Sequence, residues 1–225
     1  NTAIMEATYD CNTYTSKTVV VMEVMGRHAG WLAASGAAAN YDNDLMPTFV
    51  YLPEIPFDID KFLKQVEGAY KKKGKVFVVV SEAIGDSEGN PLAVQSGKID
   101  QFGNVQLGGV SIYLQQLVDE NITKRVKLIN PGVLQRCAMH CVSAADLDEA
   151  YWVGYKAVDY AFNGYSGCMV GIKRLSNRPY AWEPVLVPLD EVANKEKRFP
   201  LEWITPEGNS VTKEAIEYIK PLIDL

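Results

Sequence analysis

Polar residues with complementary chemistry follow three segments of this chain that have the character of buried strands. Met25-Gly26-Arg27 comes after a β-branched run, Glu82 after a second run, and Gln135-Arg136 after a third run that ends at a Pro-Gly pair. Two guanidinium groups can bind a phosphate through paired charge-assisted hydrogen bonds. A carboxylate can accept hydrogen bonds from sugar hydroxyls. Together these residues predict a site for an anionic ligand that also carries hydroxyl groups.

The surroundings of Arg27 favour this interpretation. Gly26 has no Cβ, so the backbone can approach a ligand closely. A helix predicted from about Leu32 to Ala39 would direct its positive N-terminus at the same place, which disfavours an unliganded surface cation there. Taken singly, Arg27 and Arg136 can be surface cations and Glu82 a cap. His28, next to the bulky Trp31, is interpreted as structural rather than catalytic.

Strand and helix patterns alternate along the chain. This alternation predicts an α/β fold with a mainly parallel sheet flanked by helices, in which the three polar groups lie at one edge. We predict strands at 18–24, 48–52, 75–80, 125–129 and 168–173, and helices at 32–39, 59–70, 107–118, 146–162 and 212–220. Asp58 is predicted to cap the second of these helices. Residues 84–106 are predicted to be loop, and most of the chain after residue 173 irregular.

Composition restricts the class of protein. The chain has 225 residues and a formal net charge of −6, which argues against nucleic-acid binding. Its longest apolar run is too short to cross a membrane. The four cysteines lack a paired metal-binding spacing and are typical of a reducing cytosol. Cys137, His140 and Cys141 lack a fourth ligand with suitable spacing, so we predict no metal site there.

The run from Glu23 to Trp31 resembles the fructose-6-phosphate motif of the phosphofructokinases. Met25-Gly26-Arg27, Glu82, Gln135-Arg136 and the stretch 148–170 all match features of that family. The resemblance implies a Rossmann-like phosphofructokinase fold and a glycolytic phosphotransferase. Such an enzyme transfers a phosphoryl group to the 1-hydroxyl of fructose 6-phosphate and uses Mg²⁺.

The resemblance also implies roles for individual residues. Arg27 would be catalytic, offsetting charge on the moving phosphoryl group. Met25, Gly26, Arg27 and Glu82 would hold the sugar, and Arg136 would bind the 6-phosphate. Val133 and Lys127 would also belong to the substrate-binding residues.

Other positions depart from the pattern of many ATP-dependent members. Val133 stands where those enzymes have a histidine, and Thr18 and Lys127 stand where arginines often reach into a neighbouring subunit's site. Lys17, Arg125 and Lys127 could replace them as point charges. The resemblance implies a homo-oligomer, a dimer or a tetramer. With the run Arg27–Trp31, Val133 makes the chain similar to the pyrophosphate-dependent branch. ATP as donor, or a non-catalytic sugar-phosphate-binding subunit, are the alternatives.

The resemblance divides the chain into three parts. Residues 1–136 would be a fructose-6-phosphate-binding domain truncated at its start, 137–185 a segment returning to the phosphoryl-donor domain, and 186–225 a C-terminal extension with a final helix. The donor loops, the general-base aspartate and most of the Mg²⁺ site are expected upstream of Asn1. We therefore expect this chain alone to be inactive, and the intact enzyme to be cytoplasmic.

Overall fold

The computed structural model describes residues 1–42, 46–99 and 105–223. Within them the helices are α1 (Thr2–Thr13), α2 (Trp31–Ser35), α3 (Ile59–Lys73), α4 (Val110–Asn121), α5 (Leu134–Cys137), α6 (Ala144–Phe162), α7 (Leu189–Val192) and α8 (Lys213–Ile219). The strands are β1 (Thr18–Val24), β2 (Thr48–Tyr51), β3 (Lys75–Ser81), β4 (Val94–Ile99), β5 (Val105–Leu107), β6 (Val126–Ile129), β7 (Cys168–Asn177) and β8 (Tyr180–Pro188).

Among the described residues, β2, β3, β1 and β6 form a parallel sheet in that order. Every residue of β1 is buried, which explains why its sequence is apolar almost throughout instead of alternating. Val24 and Ser81 are paired in register, so β1 and β3 end at the same edge. The expected α/β fold with a mainly parallel sheet flanked by helices is confirmed.

Helices cover both faces of this sheet. On one face, Val21 and Val78 belong to a buried cluster with Phe62 of α3 and Leu114 of α4. On the other face, Gly36 lies so close to Val79 and Ile4 that a Cβ there would be 3.1 Å from each. Asp58 begins α3 by accepting a hydrogen bond from the Lys61 N–H at 2.9 Å, as its position before the helical pattern predicts.

Two parts of the element prediction were wrong. Residues 84–106 are not all loop, because β4 and β5 form an antiparallel pair. The stretch after residue 173 is not all irregular, because β7 continues to Asn177 and pairs with β8. The prolines of β8 suggested irregular structure. A two-stranded ribbon tolerates them, since each of its strands has one side without a pairing partner.

The chain divides into two compact units: Asn1–Cys137 with Arg198–Ile216, and Ala138–Lys197 with Glu217–Leu225. Residues 198–216 thus belong to the sheet-containing unit. The Val50 N–H donates to the Asn209 carbonyl at 2.8 Å, which joins this late segment to β2.

The second unit contains a polar cluster between α6 and the β7–β8 pair. The guanidinium of Arg174 lies 4.8 Å from the ring centre of Tyr180 and 3.9 Å from that of Tyr218. Glu149 is buried and accepts a hydrogen bond from the Tyr180 hydroxyl. Burial, followed by this bond to Glu149, raises the pKa of Tyr180 to about 12.

Helix α6 also has an exposed apolar face in the second unit. Its members recur at helical spacing and are at least half exposed: Leu147, Tyr151, Tyr155, Val158 and Phe162. Phe162, the most exposed, has 88% of its surface accessible. A contiguous patch of this kind is unusual on a soluble monomer.

No helix among the described residues has both the length and the apolar character needed to span a membrane.

Candidate functional site

The turn that follows β1 has an unusual backbone. Gly26 has φ +152° and Arg27 has φ +20°. A Cβ on Gly26 would lie 2.8 Å from the Ala29 carbonyl oxygen, and that residue's N–H donates to the Gly26 carbonyl at 2.8 Å. The close turn therefore requires glycine at position 26, and it leaves the Arg27 side chain exposed at the sheet edge.

Glu82 connects the ends of β1 and β3. Its N–H donates to the Val24 carbonyl at 2.9 Å, which extends the strand pairing by one residue. Its Oε1 lies 3.3 Å from the Gly26 nitrogen and 3.5 Å from the Arg27 nitrogen. One carboxylate oxygen of Glu82 thus holds the backbone of the arginine turn.

The Gln-Arg segment meets the same turn from β6. Gln135 Oε1 accepts a hydrogen bond from the Met25 N–H at 3.0 Å, and its Nε2 donates to the Gly132 carbonyl at 3.2 Å. Arg136 follows in the short helix α5 and is exposed, and Val133 before it is 63% exposed. The structure therefore brings together the three sequence motifs that were predicted to share one edge.

Lys127 lies elsewhere in this chain. Its Nζ is 2.8 Å from Asp10 Oδ2 and 5.5 Å from the centre of the Tyr14 ring, and the hydrogen bond to Asp10 raises the pKa of the lysine. With Lys17 and Arg125 it lines a cavity of about 310 Å³ at the start of β1 and β6. That cavity is at the opposite end of the strands from Arg27, so Lys127 does not join the candidate site within one chain.

Glu23 is a buried residue of this region that the sequence analysis missed. It is 4% exposed, and its carboxylate accepts hydrogen bonds from the Gly109 N–H at 3.1 Å and from the Ser111 N–H and hydroxyl at 2.7 Å. It therefore fixes the N-terminus of α4 beside the end of β1. The available signal was a single carboxylate in an otherwise apolar strand, because such a group requires partners.

Glu54 is a second residue that the sequence analysis missed. It follows β2, and its Oε1 lies 2.8 Å from the nitrogen of Gly30 and 2.8 Å from that of Phe199. Gly30 is the last residue before α2, so this bond holds the far end of the arginine turn. Nothing local marks the role of Glu54, because both partners are distant in sequence.

The arrangement suits an anionic ligand at the edge of the sheet. Exposed Arg27 and exposed Arg136 belong to segments that hydrogen-bond through Gln135 and Met25. Their exposed guanidinium groups can each donate charge-assisted hydrogen bonds to a phosphate. The described residues include no group of three or more His, Cys, Asp or Glu side chains placed to hold a metal ion.

Fold and site together define a parallel α/β protein of the kind that binds ligands at the carboxyl edge of its sheet. The chain belongs to the phosphofructokinase family, whose model, described as Phosphofructokinase, matches residues 2–161.

Proteins similar to this chain are about twice its length. The pyrophosphate–fructose 6-phosphate 1-phosphotransferase of Halomonas elongata is 42% identical over 99% of this chain and 53% of its own length. The protein of the same name from Methylococcus capsulatus is 38% identical with the same coverage. A solved structure, the pyrophosphate-dependent phosphofructokinase from Nitrosospira multiformis, is 35% identical and superposes with a TM-score of 0.86 over all of this chain and 53% of that one. The chain thus spans about half the length of the relatives it matches.

Proposed function

We propose that this chain is the sugar-phosphate half of a pyrophosphate-dependent phosphofructokinase. The intact enzyme would transfer a phosphoryl group from pyrophosphate to the 1-hydroxyl of fructose 6-phosphate and form fructose 1,6-bisphosphate in glycolysis. The observation that carries the proposal is the meeting of the Met25–Arg27 turn, Glu82 and Gln135 at one sheet edge. The two similar proteins named above are pyrophosphate–fructose 6-phosphate 1-phosphotransferases, which supports pyrophosphate as the donor.

Arg27 would act on the transferred group. Phosphoryl transfer depends mainly on positioning and on neutralising the charge spread over the phosphoryl oxygens. An exposed guanidinium on a rigid turn meets both needs, because Gly26 and Glu82 fix the backbone that carries it.

The sugar phosphate itself would be held by the surrounding residues. Met25, Gly26 and Val133 would contact the sugar, and Arg136 would bind the 6-phosphate. Glu82 Oε1 already accepts hydrogen bonds from the backbone of the arginine turn. We therefore propose that Glu82 Oε2 accepts the hydrogen bond from a sugar hydroxyl. A bidentate guanidinium suits a terminal phosphate better than a lysine would.

We place the general base, the cradle for the donor phosphates and the Mg²⁺ ligands in the half of the relatives that has no counterpart here, so this chain alone should lack activity. Lys127 and its cavity would face the sugar phosphate of a neighbouring subunit in a dimer or tetramer. The intact enzyme would be cytoplasmic.

An assay of the full-length protein with each donor tests the proposal. We expect fructose-6-phosphate phosphorylation with pyrophosphate and little with ATP. Arg136→Ala should raise the KM for fructose 6-phosphate and leave the KM for pyrophosphate unchanged. Activity with ATP alone would overturn the choice of donor. Binding of fructose 6-phosphate without turnover with either donor would favour the non-catalytic subunit instead.

A further inference from the structure

A single carboxylate oxygen joins the arginine turn to the late segment of the sheet-containing unit. Glu54 Oε1 accepts hydrogen bonds from the N–H of Gly30 and the N–H of Phe199, each at 2.8 Å. Its Oε2 is buried and has no hydrogen-bond partner among the described residues. A buried carboxylate oxygen without a hydrogen bond lowers the stability of the folded protein, so burial of Glu54 is unfavourable in this respect.

The space around Gly30 leaves little room for adjustment. A Cβ at this position would lie 2.6 Å from Glu54 Oε2, 2.9 Å from Leu52 Cδ2 and 3.0 Å from Pro53 Cδ. The Gly30 backbone is therefore pressed against the end of β2 and the glutamate that follows it.

Aromatic packing secures the same junction. The centre of the Trp31 ring lies 5.0 Å from the centre of the Phe199 ring and 6.2 Å from that of the Trp203 ring, and both pairs have edge-to-face geometry. Phe199 is 1% exposed. The residue that follows Gly30 thus packs on the segment whose N–H also binds Glu54.

We infer that Glu54 is a positioning residue for Arg27. The near end of the turn is held by Gln135 and Glu82, and Glu54 holds the far end. Arg27 lies between these anchors with a positive φ, a backbone conformation that persists only when its surroundings enforce it. Removing the far anchor frees the turn to relax and moves the guanidinium away from the ligand. The inference rests on the proposed function for its effect on catalysis.

Two variants of Glu54 test this role. Glu54→Leu removes the acceptor at similar size, and Glu54→Gln keeps an acceptor oxygen but loses the charge. Glu67→Leu is the matched control, because Glu67 is a half-exposed glutamate on α3 that pairs with Lys71 at 2.7 Å, away from the arginine turn. The first readout is amide hydrogen exchange of a peptide covering 25–31 in the full-length protein. The second is the steady-state kinetics of the full-length protein.

For Glu54→Leu we expect exchange in 25–31 to become at least about tenfold faster, and kcat/KM for fructose 6-phosphate to fall by about tenfold or more, with the pyrophosphate KM unchanged. Glu54→Gln should show smaller changes in the same directions, in both the exchange rate and kcat/KM. If Glu54→Leu does not fold, the result for Glu54→Gln decides the test. Glu67→Leu should match wild type in both measurements.

Wild-type exchange in either Glu54 variant that folds would overturn the inference, as would faster exchange with wild-type kinetics. A wild-type protein that cannot phosphorylate fructose 6-phosphate would refute the proposed function instead, and the exchange experiment would still decide whether Glu54 holds the turn.

Discussion

Gln135 and Met25, which are 110 residues apart in sequence, are joined by a 3.0 Å hydrogen bond from the Met25 N–H to Gln135 Oε1. The bond connects the turn after β1 to the segment after β6. Because Arg136 is the next residue, one contact ties the position of the second arginine to the turn that carries the first. Gln135 thus has a structural role, because its bond to Met25 helps to fix the position of Arg136.

Replacing Gln135 should therefore weaken sugar-phosphate binding without touching the ligand directly. In the full-length protein, Gln135→Ala leaves the Met25 N–H without its partner. We expect a loss of about 0.5–1.5 kcal/mol in stability and a higher KM for fructose 6-phosphate, with the donor KM unchanged. Gln116→Ala, at an exposed position of α4, is the control. An unaltered KM in Gln135→Ala would show that the two segments keep their places without this bond.

Arg27 should matter more for turnover than for folding. Its side chain is exposed, so Arg27→Ala should leave the melting temperature within about a degree of wild type. In the full-length protein kcat should fall by roughly 10²-fold or more, as on removal of one preorganised electrostatic donor. Arg27→Lys should recover part of this loss, since it restores the charge without the planar fork. A full kcat in Arg27→Ala would exclude the residue from the mechanism.

Tyr180 should make the second unit sensitive to alkali. Its pKa rises from 10.0 to about 12 in the folded protein, so the native state favours the neutral phenol. This stabilisation is complete below pH 10 and is lost as the pH rises from 10 towards 12. Tyr180→Phe should remove that part of the pH dependence, measured as melting temperature against pH. An identical alkaline profile in wild type and variant would contradict the prediction.

The exposed apolar face of α6 should cause this chain to self-associate. We expect the apparent mass in analytical ultracentrifugation to rise with concentration over the range of about 1 to 100 μM. Tyr155→Glu combined with Phe162→Glu should reduce the effect, because burying a carboxylate at the contact is costly. Lys64→Glu, which adds an acid on α3 of the other unit, should not. A constant monomer mass for the wild-type chain would disprove the prediction.

Local patterns were sufficient to predict the elements that carry the site. The apolar run of β1, the Asp58 cap and the helical spacing of α3 all depend on neighbours within a few residues, and the structure has them as expected. The strand β8 was missed because Pro184 and Pro188 are compatible with a strand that has an unpaired side, and a sequence does not display which strands have one.

Long-range polar contacts could not be predicted in this way. Glu23 bonds to Ser111 across 88 residues, and Glu54 to Phe199 across 145. No periodicity connects residues so far apart, since the folded sheet alone brings them together. The same reason applies to Lys127. Its partner Asp10 lies 117 residues away, and the spacing of residues along the chain does not show that Lys127 lies at the opposite end of the strands from Arg27.

The bond between Glu54 and Phe199 also imposes an order of events on synthesis. When a ribosome has just added Glu54, it must extend the chain by 145 further residues before the Phe199 amide exists. At about 5–20 residues per second this takes roughly 7–30 s. Once β6 has been made, the nascent sheet has its four strands but still lacks the segment that covers Trp31. The sheet-containing unit is therefore completed after translation has passed through the whole of 138–197, and a ribosome that stalls within that stretch leaves Glu54 bound to Gly30 but without its second partner, Phe199.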